Sequence, residues 1–216
     1  MKTFLILISI FICSLANAQF GVSAGPSVLS SFGICKPYYG FNLGVEIPSD
    51  DESSLYLRAC FYKKQFDATS IKTVQLTNLD PNDFSIQYAT TQGSLNYSTF
   101  EGGMRRYVGG GYDNAFSLYG GMNLMGAISQ ARNDLVDGSS YDKTKYTMPT
   151  TSGAIVSVGM GVNGGIKYTF PGRGTLFSDV SMDYFIRSMG TTQTVQSSLY
   201  SPLILTINIG FRREFY

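Results

Sequence analysis

Between residues 38 and 47 the chain reads YYGFNLGVEI, and every second residue is large and apolar: Tyr39, Phe41, Leu43, Val45 and Ile47. Gly40, Asn42, Gly44 and Glu46 stand between them. A period of two belongs to an extended strand with one apolar face, and a helix does not reproduce it. The same alternation returns in seven further segments: QFGVSAGPSVL (19–29), SLYLRACFYKK (54–64), NYSTFEGGMRRY (96–107), AFSLYGGMNLMGAIS (115–129), AIVSVGMGVNGGIKYTF (154–170), LFSDVSMDYFIRS (176–188) and SPLILTINIGFRREFY (201–216). Pro26 has no N–H to give, so a bulge or a local break in pairing is expected in the first segment. Residues 71–76 and 83–91, IKTVQL and DFSIQYATT, alternate only weakly. They read as a hairpin extending beyond the main sheet, with two further strands, ten in all, as the alternative.

Alternation alone does not say which face meets water. The polar faces do, because they carry mostly Gly, Ser, Asn and Thr with a few charges of both signs. A soluble barrel shows water a surface rich in Lys and Glu. Only 14% of the residues are charged, whereas a soluble domain has roughly 25%. Small residues suit the crowded inside of a narrow barrel, and an uncharged apolar face is what lipid requires. Tyr39, Phe116, Tyr168, Phe170, Phe211 and Phe215 then supply interfacial girdles. An open sheet edge in hydrocarbon leaves backbone groups unpaired at several kcal/mol each, so the last strand must pair with the first. The expected fold is all-β: a closed antiparallel up-and-down transmembrane β-barrel of eight strands.

The connections carry separate information. Those after the second, fourth and sixth segments are tight (PSDDES, VGGGYDN, PGRG), while long polar stretches at 66–93 and 130–150 follow the third and fifth. Short turns at one end and long loops at the other are the asymmetry of an outer-membrane barrel. Residues 1–18, MKTFLILISIFICSLANA, read as a cleaved export signal, with Lys2 at the charged end and Ala16-Asn17-Ala18 at the cleavage site. That leaves a barrel of residues 19–216, with both termini periplasmic and the long loops extracellular. Cys35 and Cys60 remain in an exported, disulfide-permissive chain, and two unpaired thiols are expected, because the strand register holds them several residues out of step. The signal, the eight strands, the loop asymmetry and the aromatic C-terminus together resemble the small outer-membrane β-barrel superfamily, in the manner of the porin-like barrels of Bacteroidota. Families of this kind end on an aromatic residue read by the barrel-insertion machinery. Here Tyr216 is terminal, while Phe215 is in phase with the lipid-facing set.

Chemistry is sparse. The chain has no histidine, which removes the commonest general base and metal ligand. GMGVNG (159–164) matches a dinucleotide fingerprint as a string, but a strand follows it where a helix is needed. Asp179 and Asp183 lie about 13 Å apart along a strand, too far to act as an acid–base pair. DPND (80–83) lacks the ligand count of a calcium site. DLVDGSSYDKTKYT, at 134–147, reads as solvated loop. No catalytic, cofactor or metal site is expected. Ten charges share the inward phase: Glu46, Arg58, Glu101, Arg105, Lys167, Asp179, Asp183, Arg187, Arg212 and Glu214. Five acids against five bases suggest a salt-bridged, plugged lumen. The expected protein is therefore a non-catalytic integral barrel, a structural or accessory subunit of a larger outer-membrane assembly, with a free-standing surface binder that uses the long extracellular loops as the alternative. A small-solute pore is the further alternative. Its partners are outer-membrane lipid and, for an accessory subunit, another outer-membrane protein. A net charge of +1 offers nothing to nucleic acid.

Overall fold

The computed structural model describes residues 19–31, 36–66, 71–81, 83–109, 111–113, 115–136, 141–148, 153–190 and 201–215. Residues 1–18, expected to be an export signal, and Cys35 and Tyr216 lie outside the described residues. Eight long strands follow the predicted alternation: β1 (Phe20–Ser31), β2 (Tyr38–Asp50), β3 (Ser53–Tyr62), β4 (Tyr88–Val108), β5 (Phe116–Leu135), β6 (Gly153–Phe170), β7 (Gly174–Gly190) and β8 (Leu203–Phe215). Each pairs antiparallel with its chain neighbour, and β1 pairs with β8 from Phe20↔Phe215 to Ser31↔Ile204. The ring is closed, so no strand of it presents an edge to lipid.

Pro26 has its expected effect. On the β8 side the ladder omits Gly25 and Pro26, then resumes in the same register at Ser27↔Asn208. From β2 the Asn42 amide donates to the freed carbonyls of Gly25 and Pro26, at 3.0 and 2.9 Å. At the ends of β2, β4 and β6 the chain reverses in short turns, all on one side of the barrel. Gly109 (φ 94°) and Gly172 (φ 70°) take left-handed backbone there, where a side chain is strained.

Burial alternates strictly along β6. Val156, Val158, Met160, Val162, Ile166, Tyr168 and Phe170 face out, whereas Ser157, Asn163 and Lys167 are buried inside. The other strands continue this belt with Leu43, Leu57, Leu124, Val180 and Ile207. Along β5 its outward residues run from Leu118 to Ile128, about 33 Å of strand, which at the usual tilt spans the ~25 Å apolar band of a bilayer. Aromatic side chains edge the belt. Phe20 stacks on Phe215 at 5.4 Å at the turn end, and Phe41 meets Phe61 at 5.3 Å towards the loop end.

Two strands run further than the alternation suggested. Above the belt β4 and β5 stay paired, from Tyr97↔Ser129 up to Thr91↔Leu135, with polar outward residues such as Gln92, Asn96, Gln130 and Arg132. Outside lipid the ladder no longer needs an apolar face, so the periodicity fades before the strand does. Lys72–Gln75, from IKTVQL, pairs with Tyr88–Thr91 on the far edge of β4. The weakly alternating segments are thus an extension above an eight-stranded ring.

An Arg at the centre of the belt tests this orientation. Leu124→Arg, at a side chain 67% exposed to the surroundings, is expected to destabilise the folded protein in bilayers by about 2–4 kcal/mol. Gln130→Arg, six residues further and above the belt, is expected to stay within about 0.5 kcal/mol. Urea titration of vesicle-inserted protein reads both.

Candidate functional site

Two places are candidates for a functional site, the lumen and the surface made by the long loops. The lumen is filled in three layers. At the turn end Tyr107, Tyr112 and Tyr119 pack together, with Lys167 between the rings of Tyr107 and Tyr112 and Arg212 over Tyr112. At the loop end Leu29, Tyr38, Tyr62, Leu95, Tyr97, Met125, Phe185 and Ile204 form an apolar plug, in which Tyr38 and Tyr97 meet edge to face at 5.0 Å.

Between these layers runs a chain of ion pairs that alternates in sign. Glu214 pairs with Arg212 at 3.0 Å, and Arg212 reaches Glu46 at 2.8 Å. Glu46 takes Arg105 at 2.7 Å, and Arg105 reaches Asp179 at 2.8 Å. Arg58 then spans Asp179, at 2.8 Å to each oxygen, and Glu101. Asp179 is the hub, accepting also from Tyr119 at 3.1 Å and Asn208 at 3.0 Å. Glu46 accepts further from Ser54 and Tyr107. Charges taken from water are tolerated only when paired and hydrogen-bonded in this way.

Of the ten charges expected inside, eight are buried in the lumen: Glu46, Arg58, Glu101, Arg105, Lys167, Asp179, Asp183 and Arg212. Glu214 is half-buried at the turn-end rim. Arg187 is a correction, because it is exposed on the outer side. Val158 pairs with Arg187 while Gly159 pairs with Phe185, so Ile186 is an extra residue and β7 bulges there. One inserted residue reverses the side-chain parity beyond it. Ser188 takes the inner position instead and shares a hydrogen bond with Ser157 at 2.9 Å. The balance inside is therefore five acids to four bases. The Cys60 thiol is buried, free and lumen-facing.

The second place was not legible in the sequence. Thr77–Asn78 of one long loop pairs with Tyr146–Thr147 of the other, and the Leu79 N–H donates to the Lys145 carbonyl at 2.8 Å. Leu76, Ala89 and Tyr146 form a small apolar core beneath this joint, with Leu135, Tyr141 and Met148 against it. Asx-type clasps fix the corners. Ser85 N–H donates to Asp83 at 2.9 Å, and the Thr144 hydroxyl and N–H donate to Asp142 at 2.6 and 2.9 Å. These donors hold both carboxyls below the usual carboxylate range. The two loops thus make one platform. A hollow of 640 Å³ opens between them, lined by Asn78, Leu79, Asp80, Pro81, Asp83, Thr144 and Lys145. Beside it Phe84, Ile86 and Tyr88 are 89%, 61% and 61% exposed. Alternation in FSIQY signalled this apolar row, but nothing local announced that KYT of the other loop pairs beside it.

No family profile matches this sequence, and no curated protein matches it. Similarity appears among solved structures. The outer membrane protein OprG of Pseudomonas aeruginosa superposes with a TM-score of 0.53 at 13% identity, over 92% of this chain and 96% of that one. A major outer membrane protein from Thermus thermophilus gives 0.52 at 12% identity, over 92% and 100%. Neisserial surface protein A gives 0.50 at 15% identity, over 91% and 96%. The fold is that of the small outer-membrane β-barrels.

Two outcomes follow. Asp179→Asn leaves Arg58 and Arg105 without their shared carboxylate, and a loss of about 3–5 kcal/mol is expected in urea unfolding. The platform clasps depend on carboxyls whose folded pKa values are depressed. Their contribution is complete above the unfolded carboxylate pKa and is lost as pH falls through the folded values. Amide protection factors, corrected for the intrinsic exchange rate at each pH, are expected to fall in 76–81, 83–87 and 141–147 at low pH while those of the barrel strands hold.

Proposed function

We propose that the chain is a non-catalytic, non-conducting integral barrel of the bacterial outer membrane that binds a partner through its loop platform. In this reading both termini face the periplasm and the platform faces outward. The lumen carries the argument against transport: an apolar plug, an ion-pair chain and a tyrosine layer follow one another along its axis. Eight-stranded interiors are just wide enough for side chains to fill. With the inside occupied, recognition is left to the outer wall and the loops. A scaffold-mounted loop surface with a hollow and exposed aromatic side chains is a common form of binding site. In this reading the chain is a barrel of the kind found in Bacteroidota, whose porin-like barrels its sequence pattern resembles.

An accessory role beside another outer-membrane protein is the second reading, and a specific feature favours it. The lipid-facing wall of β1–β4 has an apolar groove of about 560 Å³, where Ala59 and Gly102 lie between Val22, Leu43, Leu57 and Phe100. Small residues of this kind let another wall approach closely.

Extraction of the native protein in mild detergent, followed by complex mass, tests both readings. A Phe84→Asp/Ile86→Asp double variant is expected to release any partner held by the platform, and Gly102→Leu any partner held by the wall. A complex that both variants leave intact contradicts each reading. Purified protein in planar bilayers is expected to show no stepwise conductance, and steady single-channel openings would overturn the non-conducting assignment.

A further inference from the structure

Asp183 stands apart from the ion-pair chain. It is fully buried, and its hydrogen bond at Oδ1 comes from the neutral Asn123 amide at 2.5 Å. The two side chains meet across Gly161, whose neighbours in register are Asn123 on β5 and Asp183 on β7. A Cβ at Gly161 would lie 2.7 Å from the Asp183 Cγ, so this meeting needs glycine. Lys167 lies six residues further along β6, about 20 Å away at strand spacing, and packs in the tyrosine layer. Among the described residues, no Lys or Arg lies within ion-pair distance of Asp183.

Three buried carbonyl and carboxylate oxygens in this part of the lumen have no hydrogen-bond partner, Asp183 Oδ2, Asn123 Oδ1 and Glu101 Oε2, beside the hydroxyls of Thr99 and Ser181, which have none either. Each belongs to a side chain more than nine-tenths buried. All three are acceptors, and two carry negative charge. Glu101 gives its other oxygen to Arg58, which also serves Asp179. The Ser181 hydroxyl, two residues along β7, is a neutral donor beside Asp183 and brings no charge. A buried carboxylate with neutral donors alone is costly until something positive joins it. Water alone supplies hydrogen bonds but no charge.

We propose that a monovalent alkali-type cation occupies the lumen beside Asp183, held by Asp183, Asn123 and Glu101. The donor set is oxygen only, which suits a hard cation. Arg58 already covers part of the Glu101 charge, so one further positive charge balances the cluster and two overshoot it. Residues of the apolar plug border the site: Met125 is in register with Glu101 and Ile204 with Asp183. The cation therefore enters while the ring closes and is retained afterwards. It acts as a structural counter-ion, and its charge state ties β4, β5 and β7 together.

Refolding the full barrel in detergent with thallium(I) as the added cation, then crystallising it, tests the site directly. An anomalous peak beside Asp183 is expected, and it is expected to vanish in Asp183→Asn. Refolding with sodium against N-methyl-D-glucamine at equal ionic strength gives the second readout. Wild type is expected to unfold at a higher urea concentration with sodium, and Asp183→Asn to lose that difference. A wild-type lumen without a thallium peak overturns the proposal, whether or not the variant folds. An Asp183 carboxylic-acid C=O infrared band, with unfolding indifferent to the cation, also overturns it and assigns the charge to a proton.

Discussion

The pairing of β1 with β8 is the contact on which the rest depends. In hydrocarbon a backbone N–H or C=O has no water to turn to, so a sheet is stable there only as a ring. Ten register pairs join the first strand to the last, from Phe20↔Phe215 to Ser31↔Ile204. Where Pro26 interrupts the ladder, Asn42 satisfies the carbonyls beside it. Closure then divides every strand into two sets of side chains. One set faces lipid and must be apolar, and the other is enclosed in a cylinder about as wide as the side chains themselves.

The lumen is consequently a polar core within an apolar shell. Three arginines and four carboxylates form one chain through it, and each buried charge of the chain touches at least one of opposite sign. Such pairs add little net stability compared with apolar packing, but removing one partner leaves a stranded charge. The network therefore penalises wrong registers strongly, since a shift by one residue would turn these charges towards lipid. Tyrosines from β4 and β5 and the turn between them cap the arginines from one end, and the apolar plug caps the carboxylates from the other. A lumen built this way is packed with side chains along its length, which is why the proposed recognition is placed on the loops and the wall.

Alternation made most of this visible from the residues alone. Belt and lumen positions on β2 and β6 follow directly from YYGFNLGVEI and AIVSVGMGVNGGIKYTF, because lipid and a packed interior impose opposite demands on neighbouring residues. Arg187 was misplaced for a definite reason: parity holds only while pairing is one to one, and the extra Ile186 breaks it. The upper parts of β4 and β5 were hidden because a strand in water needs no apolar face. The loop platform was hidden more deeply. The pairing of Thr77–Asn78 with Tyr146–Thr147 joins residues about 70 positions apart through two-residue strands, too short to carry a period.

A spin-label scan of single cysteines along β6, from residue 154 to 170, in bilayers tests the central claim most directly. Collision rates with oxygen, which partitions into lipid, and with a water-soluble nickel complex are measured at each position. The account predicts a period of two: even positions reached by oxygen alone, odd positions reached by neither reagent. Odd positions open to the nickel complex would mean a water-filled lumen. Even positions open to it would mean that the apolar face does not lie in lipid at all.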